Sequence, residues 1–199
     1  MDPLSIELPP WIDTPRLRLR SAREDDAPAL NAAVAESLGA LRPWMPWAQR
    51  APTLAESRAV CRRQQGRFLL REDLTWLMFE RASDGAEGAL VGGCGLHRID
   101  WTLRRFEVGY WRREPWGGRG LVGEAVQALA RMAFDVLDAR RVEVRMDARN
   151  VASRRVAERA GFAFEGLLRS DALDVDGRPR DTCVYARVRD EAAVSPTPG

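Results

Sequence analysis

Between Phe106 and Ala125 the chain reads FEVGYWRREPWGGRGLVGEA, an apolar strand that runs into a glycine cluster and then into an amphipathic helix. No other stretch constrains the fold as much. Gly117, Gly118 and Gly120 lack a Cβ, so the backbone there can turn tightly, take positive φ and approach a ligand closely. From Leu121 onward, Leu121, Ala125, Leu129, Met132 and Val136 recur at helical spacing, while Glu124, Gln127, Arg131, Asp135 and Asp138 form the opposite polar stripe. The spacing predicts a long helix starting directly after the glycines. Its first amides lack intrahelical partners and its positive dipole end faces the loop, which suits a phosphate or pyrophosphate. Arg119 adds charge.

Several loops of this kind hold phosphates, and two are excluded. A G-x-x-x-x-G-K-[ST] loop is impossible because all 31 basic residues are arginine, a composition bias from which no function is read. No G-x-G-x-x-G opens a first βαβ unit.

With 199 residues and 45% hydrophobic content, one well-buried domain is expected. The net charge of +2 is spread along the chain, so no nucleic-acid partner is expected. Cys61, Cys94 and Cys183 are widely spaced without C-x-x-C, which argues against a disulfide framework and against a metal site. No run approaches 18 apolar residues, and MDPLSIELPPW lacks the basic and apolar segments of an export signal. A reducing cytoplasm and no membrane partner are the expectation.

In order, residues 1–15 carry four prolines and are expected to form an irregular leader. RLRLR, Arg16 to Arg20, alternates as a half-exposed strand with a solvated basic face. A helix begins near Glu24, with Leu30, Val34 and Leu38 as its apolar stripe. In LRPWMPW, Trp44 and Trp47 stand among prolines and read equally as a binding wall or as one end of the core. Thr53 to Arg71 is a second helix with a Thr53/Glu56 capping box. Thr75 to Arg81 and Ala89 to Arg98 form a hairpin turning at Asp84-Gly85, and Gly92, Gly93 and Gly95 mark close approach or a bulge. Leu103 to Arg112 pairs next. Arg141 to Asp147 is a strand, Asn150 caps a short helix stopped by Gly161, and Phe162 to Leu168 and Asp181 to Val188 are the last strands. Residues 191–199 read as a disordered tail. The sum is an α/β domain over 16–190, a mixed, mostly antiparallel sheet of about seven strands with crossover helices after the glycines.

Five segments carry a family resemblance. The Gly117 to Val122 loop resembles the acyl-CoA loop of the GCN5-related N-acetyltransferases (GNAT), with Gly117 where Gln or Arg is usual and Val122 where a small residue is usual. TPRLRLRSAREDDAPAL and RPWMPW are similar to the opening and the tryptophan-rich segment of the RimJ/RimL-like branch. NVASRRVAERAGF and GRPRDTCVYARV resemble its N-x-x-S…G-F motif and its final strand. The resemblance covers about residues 14 to 190.

It implies a single GNAT domain whose sheet is splayed at the acetyl-CoA site. The implied activity is direct transfer of acetyl from acetyl-CoA to a primary amine, on a protein N-terminus or a small molecule. No metal is implied, and a homodimer is allowed. The implied cofactor contacts are Tyr110, Trp111, Arg112, Gly117, Gly118, Arg119, Gly120, Leu121, Val122, Gly123, Asn150 and Ser153. An amide near Tyr110 or Trp111 would bind the thioester carbonyl. Glu107 is the candidate base, directly or through water, or else a solvated or ion-paired glutamate. Ser153 is the candidate donor to the leaving thiolate, because Ala157 stands where many relatives carry tyrosine, or else a helix-interior serine with no role. Trp44, Trp47 and Glu107 are expected at the acceptor. His97, the single histidine, has no G-x-S-x-G elbow to serve; it is expected to end a strand near the acceptor pocket and to have no catalytic part. The departures at Gly117, Val122 and Ala157 motivate an alternative, a CoA-binding module without catalysis.

Overall fold

Eight strands share one sheet in the computed structural model, which describes residues 2–189. They are β1 (Trp11–Asp13), β2 (Leu17–Ser21), β3 (Leu74–Arg81), β4 (Glu87–Asp100), β5 (Arg105–Arg112), β6 (Arg141–Asp147), β7 (Ala163–Leu173) and β8 (Pro179–Val188). The helices are α1 (Ala27–Glu36), α2 (Leu38–Leu41), α3 (Leu54–Leu69), α4 (Leu121–Asp135) and α5 (Val151–Arg159). The sheet order is β1-β2-β3-β4-β5-β6-β8-β7, and β5 with β6, joined through α4, is its parallel pair. α5 makes no second parallel pair, because β8 returns between β6 and β7 and runs antiparallel to both.

The local signals act as their chemistry requires. Thr53 Oγ1 accepts from Glu56 N at 3.2 Å and Glu56 Oε2 accepts from Thr53 N at 2.8 Å, closing the capping box of α3. Asp84 Oδ1 accepts from Ala86 N at 2.9 Å while Gly85 takes φ +82° in the β3–β4 turn. Gly161, at φ +81°, stops α5.

Two expectations are corrected. The leader expected to be irregular contains a 3-10 turn at Pro3–Ser5 and strand β1, which pairs with β2 from Trp11↔Arg20 to Asp13↔Arg18 and makes the strands eight rather than seven. Pro9, Pro10 and Pro15 remove only their own N–H groups, and the three strand residues Trp11 to Asp13 keep theirs for the ladder. The second correction is Arg20, buried rather than on a solvated face. Its guanidinium makes paired bonds to Asp26 (2.7 and 2.8 Å) and Glu87 (2.6 and 2.8 Å) and lies over the Phe79 ring. The expected tail lies outside the described residues.

Alternation along β3 splits the core into two layers. Trp76 and Met78 join Leu96, Phe106, Val108, Val142 and Val144 beneath Leu121, Ala125, Leu129 and Met132 of α4. Leu77 and Phe79 join Leu30 and Val34 of α1 and Cys61 of α3 on the other side. Each fully buried leucine contributes about 1.5–3 kcal/mol. Val136 falls beyond the last turn of α4 and is exposed. All three cysteines are buried thiols, and burial pushes Cys61 up to about 11. No helix among the described residues is long and apolar enough to cross a membrane.

Candidate active site

β5 and β6 pair only at Arg105↔Arg141, Phe106↔Val142 and Glu107↔Glu143. Beyond that point β5 stays with β4, as far as Gly92↔Arg112, while β6 stays with β8, as far as Asp147↔Thr182. The parallel pair therefore opens, leaving the β6-facing edge of β5 unpaired from Val108 onward. A cleft of about 890 Å³ follows this opening, lined among others by Tyr110, Asn150, Ser153, Trp44, Trp47, Thr75 and His97.

The glycine loop leads from β5 into α4. Gly118 and Gly120 take φ +73° and +74°, the left-handed region that a Cβ disfavours. Gly120 is the N-cap of α4 and no side chain caps the helix, so its opening amides stay available to an anion. Arg16 clamps this loop. Its Nη1 donates to the Arg119 carbonyl at 2.9 Å, and its Nε and backbone amide bond Glu124 of α4 at 2.7 and 2.9 Å. Arg119 itself pairs with Glu80 at 3.2 Å. A hollow of about 360 Å³ bordered by Arg16, Arg81, Arg119 and Leu121 lies beside the loop.

The departures noted in this loop take specific positions. Val122 packs against the core, and a Cβ on the next residue, Gly123, would meet nothing within 4 Å. Over Gly117 lies the guanidinium of Arg112, whose Nη1 donates to the carbonyls of Arg113 (3.0 Å) and Glu114 (2.8 Å).

Across the cleft, Asn150 caps α5 by accepting from Ser153 N at 3.0 Å. Ser153 Oγ lies 2.8 Å from the phenolic oxygen of Tyr110, which also donates to the Ser153 carbonyl at 3.1 Å. Burial pushes the Tyr110 hydroxyl up to about 12 against the opposing bond to Ser153, so it stays protonated at neutral pH. An unpaired strand edge and a half-buried hydroxyl pair thus border the cleft, and β5 leads from it into the glycine-started helix.

A family model described as the acetyltransferase (GNAT) domain matches residues 16–163. The chain belongs to this family. Among curated proteins, YdaF of Bacillus subtilis (strain 168) is 36% identical over 105 residues, 53% of this chain and 57% of that protein. The ribosomal-protein-serine acetyltransferase of Escherichia coli (strain K12) is 33% identical over 109 residues, 52% of this chain and 58% of that protein. The matches thus span a little over half the length of these relatives. Among solved structures, RimL, a ribosomal L7/L12 alpha-N-protein acetyltransferase in complex with coenzyme A, superposes with a TM-score of 0.82 at 25% identity. That match covers 90% of this chain and 98% of that one.

Within this GNAT domain the remaining site residues divide by strand face. Tyr110 and Val108 point towards the α4 layer, whereas Glu107, Gly109 and Trp111 lie on the α1/α3 face. Trp111 meets Trp47 edge-on at 5.9 Å, its indole lying over Gly93. Trp44 and Trp47 line the cleft and are 38% and 54% exposed. Glu107 sits at the closed end, outside the cleft lining, with a side chain 17% exposed and Arg98 Nε at 3.5 Å. Burial raises its carboxyl above the usual range, with Arg98 and Arg145 opposing. Its Oε2 is buried without a hydrogen bond.

Sequence reasoning missed three features here. Arg16 reads only as the start of a basic strand, although it holds the loop. The Tyr110 phenol is foreshadowed by alternation, but its bond to Ser153 is not. The third is at His97, which lines the cleft and whose Nδ1 lies 2.9 Å from Asp73 Oδ1. Burial pushes the Asp73 carboxyl up, but hydrogen bonds from His97 and Thr75 and the charge of Arg67 hold it below the usual carboxylate range.

Proposed function

We propose that this chain is an acetyl-CoA-dependent N-acetyltransferase acting on a primary amine, with a protein N-terminus favoured over a small amine. The observation that carries this reading is the opening of β5 from β6 between a glycine-started helix and a tryptophan wall. The N-terminal acceptor is supported by what its relatives are named for, ribosomal-protein-serine and L7/L12 alpha-N-protein acetylation.

The amides at Gly118 to Gly123 would hold the pyrophosphate, Arg16 would keep the loop in place, and the free edge of β5 would pair with the pantetheine arm. Acetyl-CoA supplies the thioester. An amide at Tyr110 or Trp111 would stabilise charge on its carbonyl oxygen. Tyr110 and Ser153 would deliver a proton to the leaving sulfur, the phenol filling the role for which Ala157 has no group. Trp44 and Trp47 would receive the acceptor, and Glu107, from the closed end, could reach it only through water. A CoA-binding module without catalysis loses support at Val122, which packs against the core, and at Tyr110, which supplies a donor.

The test offers purified protein acetyl-CoA with peptides of varied N-terminal residue and a panel of small amines, following thiol release and product mass. Release with peptides carrying a free N-terminus, and none with N-blocked peptides, is expected. Binding of CoA by calorimetry with no release on any acceptor would leave the module reading instead.

A further inference from the structure

His97 does more than end a strand. On β4 it faces Glu107 of β5 in register, two residues from the facing pair Gly95↔Gly109. Its ring folds over both glycines. A Cβ at Gly95 would come within 2.7 Å of ring Cε1, and one at Gly109 within 2.7 Å of ring Cδ2. Two glycines in facing register thus clear a seat for this imidazole on the floor of the sheet. The ring side chain is 34% exposed and lines the same cleft as Tyr110, Ser153 and Trp47.

The second support is Asp73. Its Oδ1 is shared by His97 Nδ1 at 2.9 Å and by the Thr75 hydroxyl at 2.9 Å, and Arg67 of α3 stands 3.4 Å from Oδ2. An ionised carboxylate only accepts, so Nδ1 carries the hydrogen and the neutral ring presents its lone pair at Nε2. Among the described residues Nε2 has no hydrogen-bond partner. It lies against Gly109, on the stretch of β5 that has just parted from β6. The other charged groups are Glu107 cross-strand, with Arg98 beside it, and, lining the same cleft, Arg50, Glu56, Arg63, Arg145, Asp147, Asp174 and Arg180.

Resting on the acetyltransferase reading, we propose that His97 is the general base for the acceptor amine and that Asp73 is its positioning residue. Nε2 takes one proton from the acceptor ammonium, and the freed nitrogen pair attacks the thioester carbon. The carbon–sulfur bond then breaks with its pair going to sulfur. The second proton lost by nitrogen reaches that sulfur through Tyr110 and Ser153 or solvent, and the imidazolium returns its proton to water. Amide, CoA thiol and one proton are the products. Asp73 fixes the tautomer and steadies the imidazolium, and Glu107, which has Arg98 as its neighbour and does not line the cleft, is not the base.

The experiment compares pH profiles of kcat/KM for the amine in wild type, His97→Gln, Asp73→Asn and Glu107→Gln, with melting temperature and acetyl-CoA affinity measured alongside. His97→Gln is expected to lose roughly 10²–10⁴-fold in kcat/KM and the ascending acid limb, with acetyl-CoA affinity kept within about twofold. Asp73→Asn should lose less and move the limb to lower pH, because the imidazolium loses its carboxylate. Glu107→Gln should keep the limb. Added imidazole should partly restore His97→Gly, a rescue that a structural histidine would not allow. A His97→Gln enzyme within about twofold of wild type with its limb intact overturns the proposal, and so does loss of the limb in Glu107→Gln alone. Should His97→Gln fail to fold, an unmoved limb in Asp73→Asn overturns it equally. Wild type that binds CoA yet acetylates nothing removes both the proposal and the acetyltransferase reading, whereas active wild type with indifferent His97 removes only the proposal.

Discussion

The phenolic oxygen of Tyr110 on β5 lies 2.8 Å from the hydroxyl of Ser153 on α5, directly across the cleft. The two groups come from opposite walls of the strand opening. Tyr110 stays neutral because burial pushes it up to about 12, and Ser153 is held by the Asn150 cap.

Tyr110→Phe and Ser153→Ala should each lower kcat more than acetyl-CoA affinity, by roughly 10²-fold or more if the pair delivers the proton to sulfur. The double variant should be little worse than either single, since the two act as one unit. Steady-state kinetics with calorimetric CoA affinity checks this. Additive losses would mean that the hydroxyls work separately.

Gly120 opens α4 at φ +74°, and a Cβ there would sit 3.7 Å from Arg16 Nη2, in ordinary contact. Gly120→Ala should therefore cost only the left-handed backbone strain, about 1–2 kcal/mol in urea denaturation. Gly120→Glu adds negative charge beside the free amides and should weaken CoA binding at least about tenfold, or about 1.4 kcal/mol, by calorimetry. Equal CoA affinity in the two variants would remove the loop from the cofactor site.

Trp47 is 54% exposed and touches Trp111 edge-on, so removing it should leave the fold standing. Trp47→Ala should raise the KM for the amine about 2- to 30-fold, the range of a cation–π contact of about 0.5–2 kcal/mol. The KM for acetyl-CoA should hardly change. A variant that weakens acetyl-CoA alone would place Trp47 on the other side of the cleft.

Arg20 and Asp26 form a buried pair, with side chains 7% and 10% exposed. Removing one partner of such a pair costs about 3–5 kcal/mol, and Arg20→Met should fall in or just below that range. Burial pushes the Asp26 carboxyl up, but the bonds from Arg20 and the Arg23 amide win and hold it below the usual range. Its stabilisation is thus complete above the ordinary aspartate value of about 3.9 and is lost as pH falls towards the depressed folded value. Urea midpoints from about pH 7 to about pH 3 should show that acid-side loss in wild type and a weaker one in Arg20→Met.

Much of the fold was legible because its signals act over three or four residues. The Thr53/Glu56 box, the Asn150 cap with its Gly161 stop, the Asp84-Gly85 turn and the strand–glycine–helix junction are each written in adjacent residues. They are satisfied by backbone groups within one turn of chain. The period of α4 likewise placed Leu121, Ala125, Leu129 and Met132 in the core before any neighbour was known. Even Trp44 and Trp47 were singled out by composition, although their choice between wall and core was not.

What the sequence determined by itself is therefore the order of α/β elements and the glycine-started helix, because those features are local, while the acetyltransferase family was legible only as a resemblance of its ordered segments. Tertiary structure alone decided which side chains meet. Tyr110 and Ser153 are 43 residues apart, His97 and Asp73 are 24 apart, and Arg20 and Glu87 are 67 apart. Each pairing depends on strand register and helix placement, where a shift of one residue turns a side chain to the opposite face. The strand in the leader and the burial of Arg20 have the same origin, since an edge amide or a lone arginine finds its partner only after distant segments have docked.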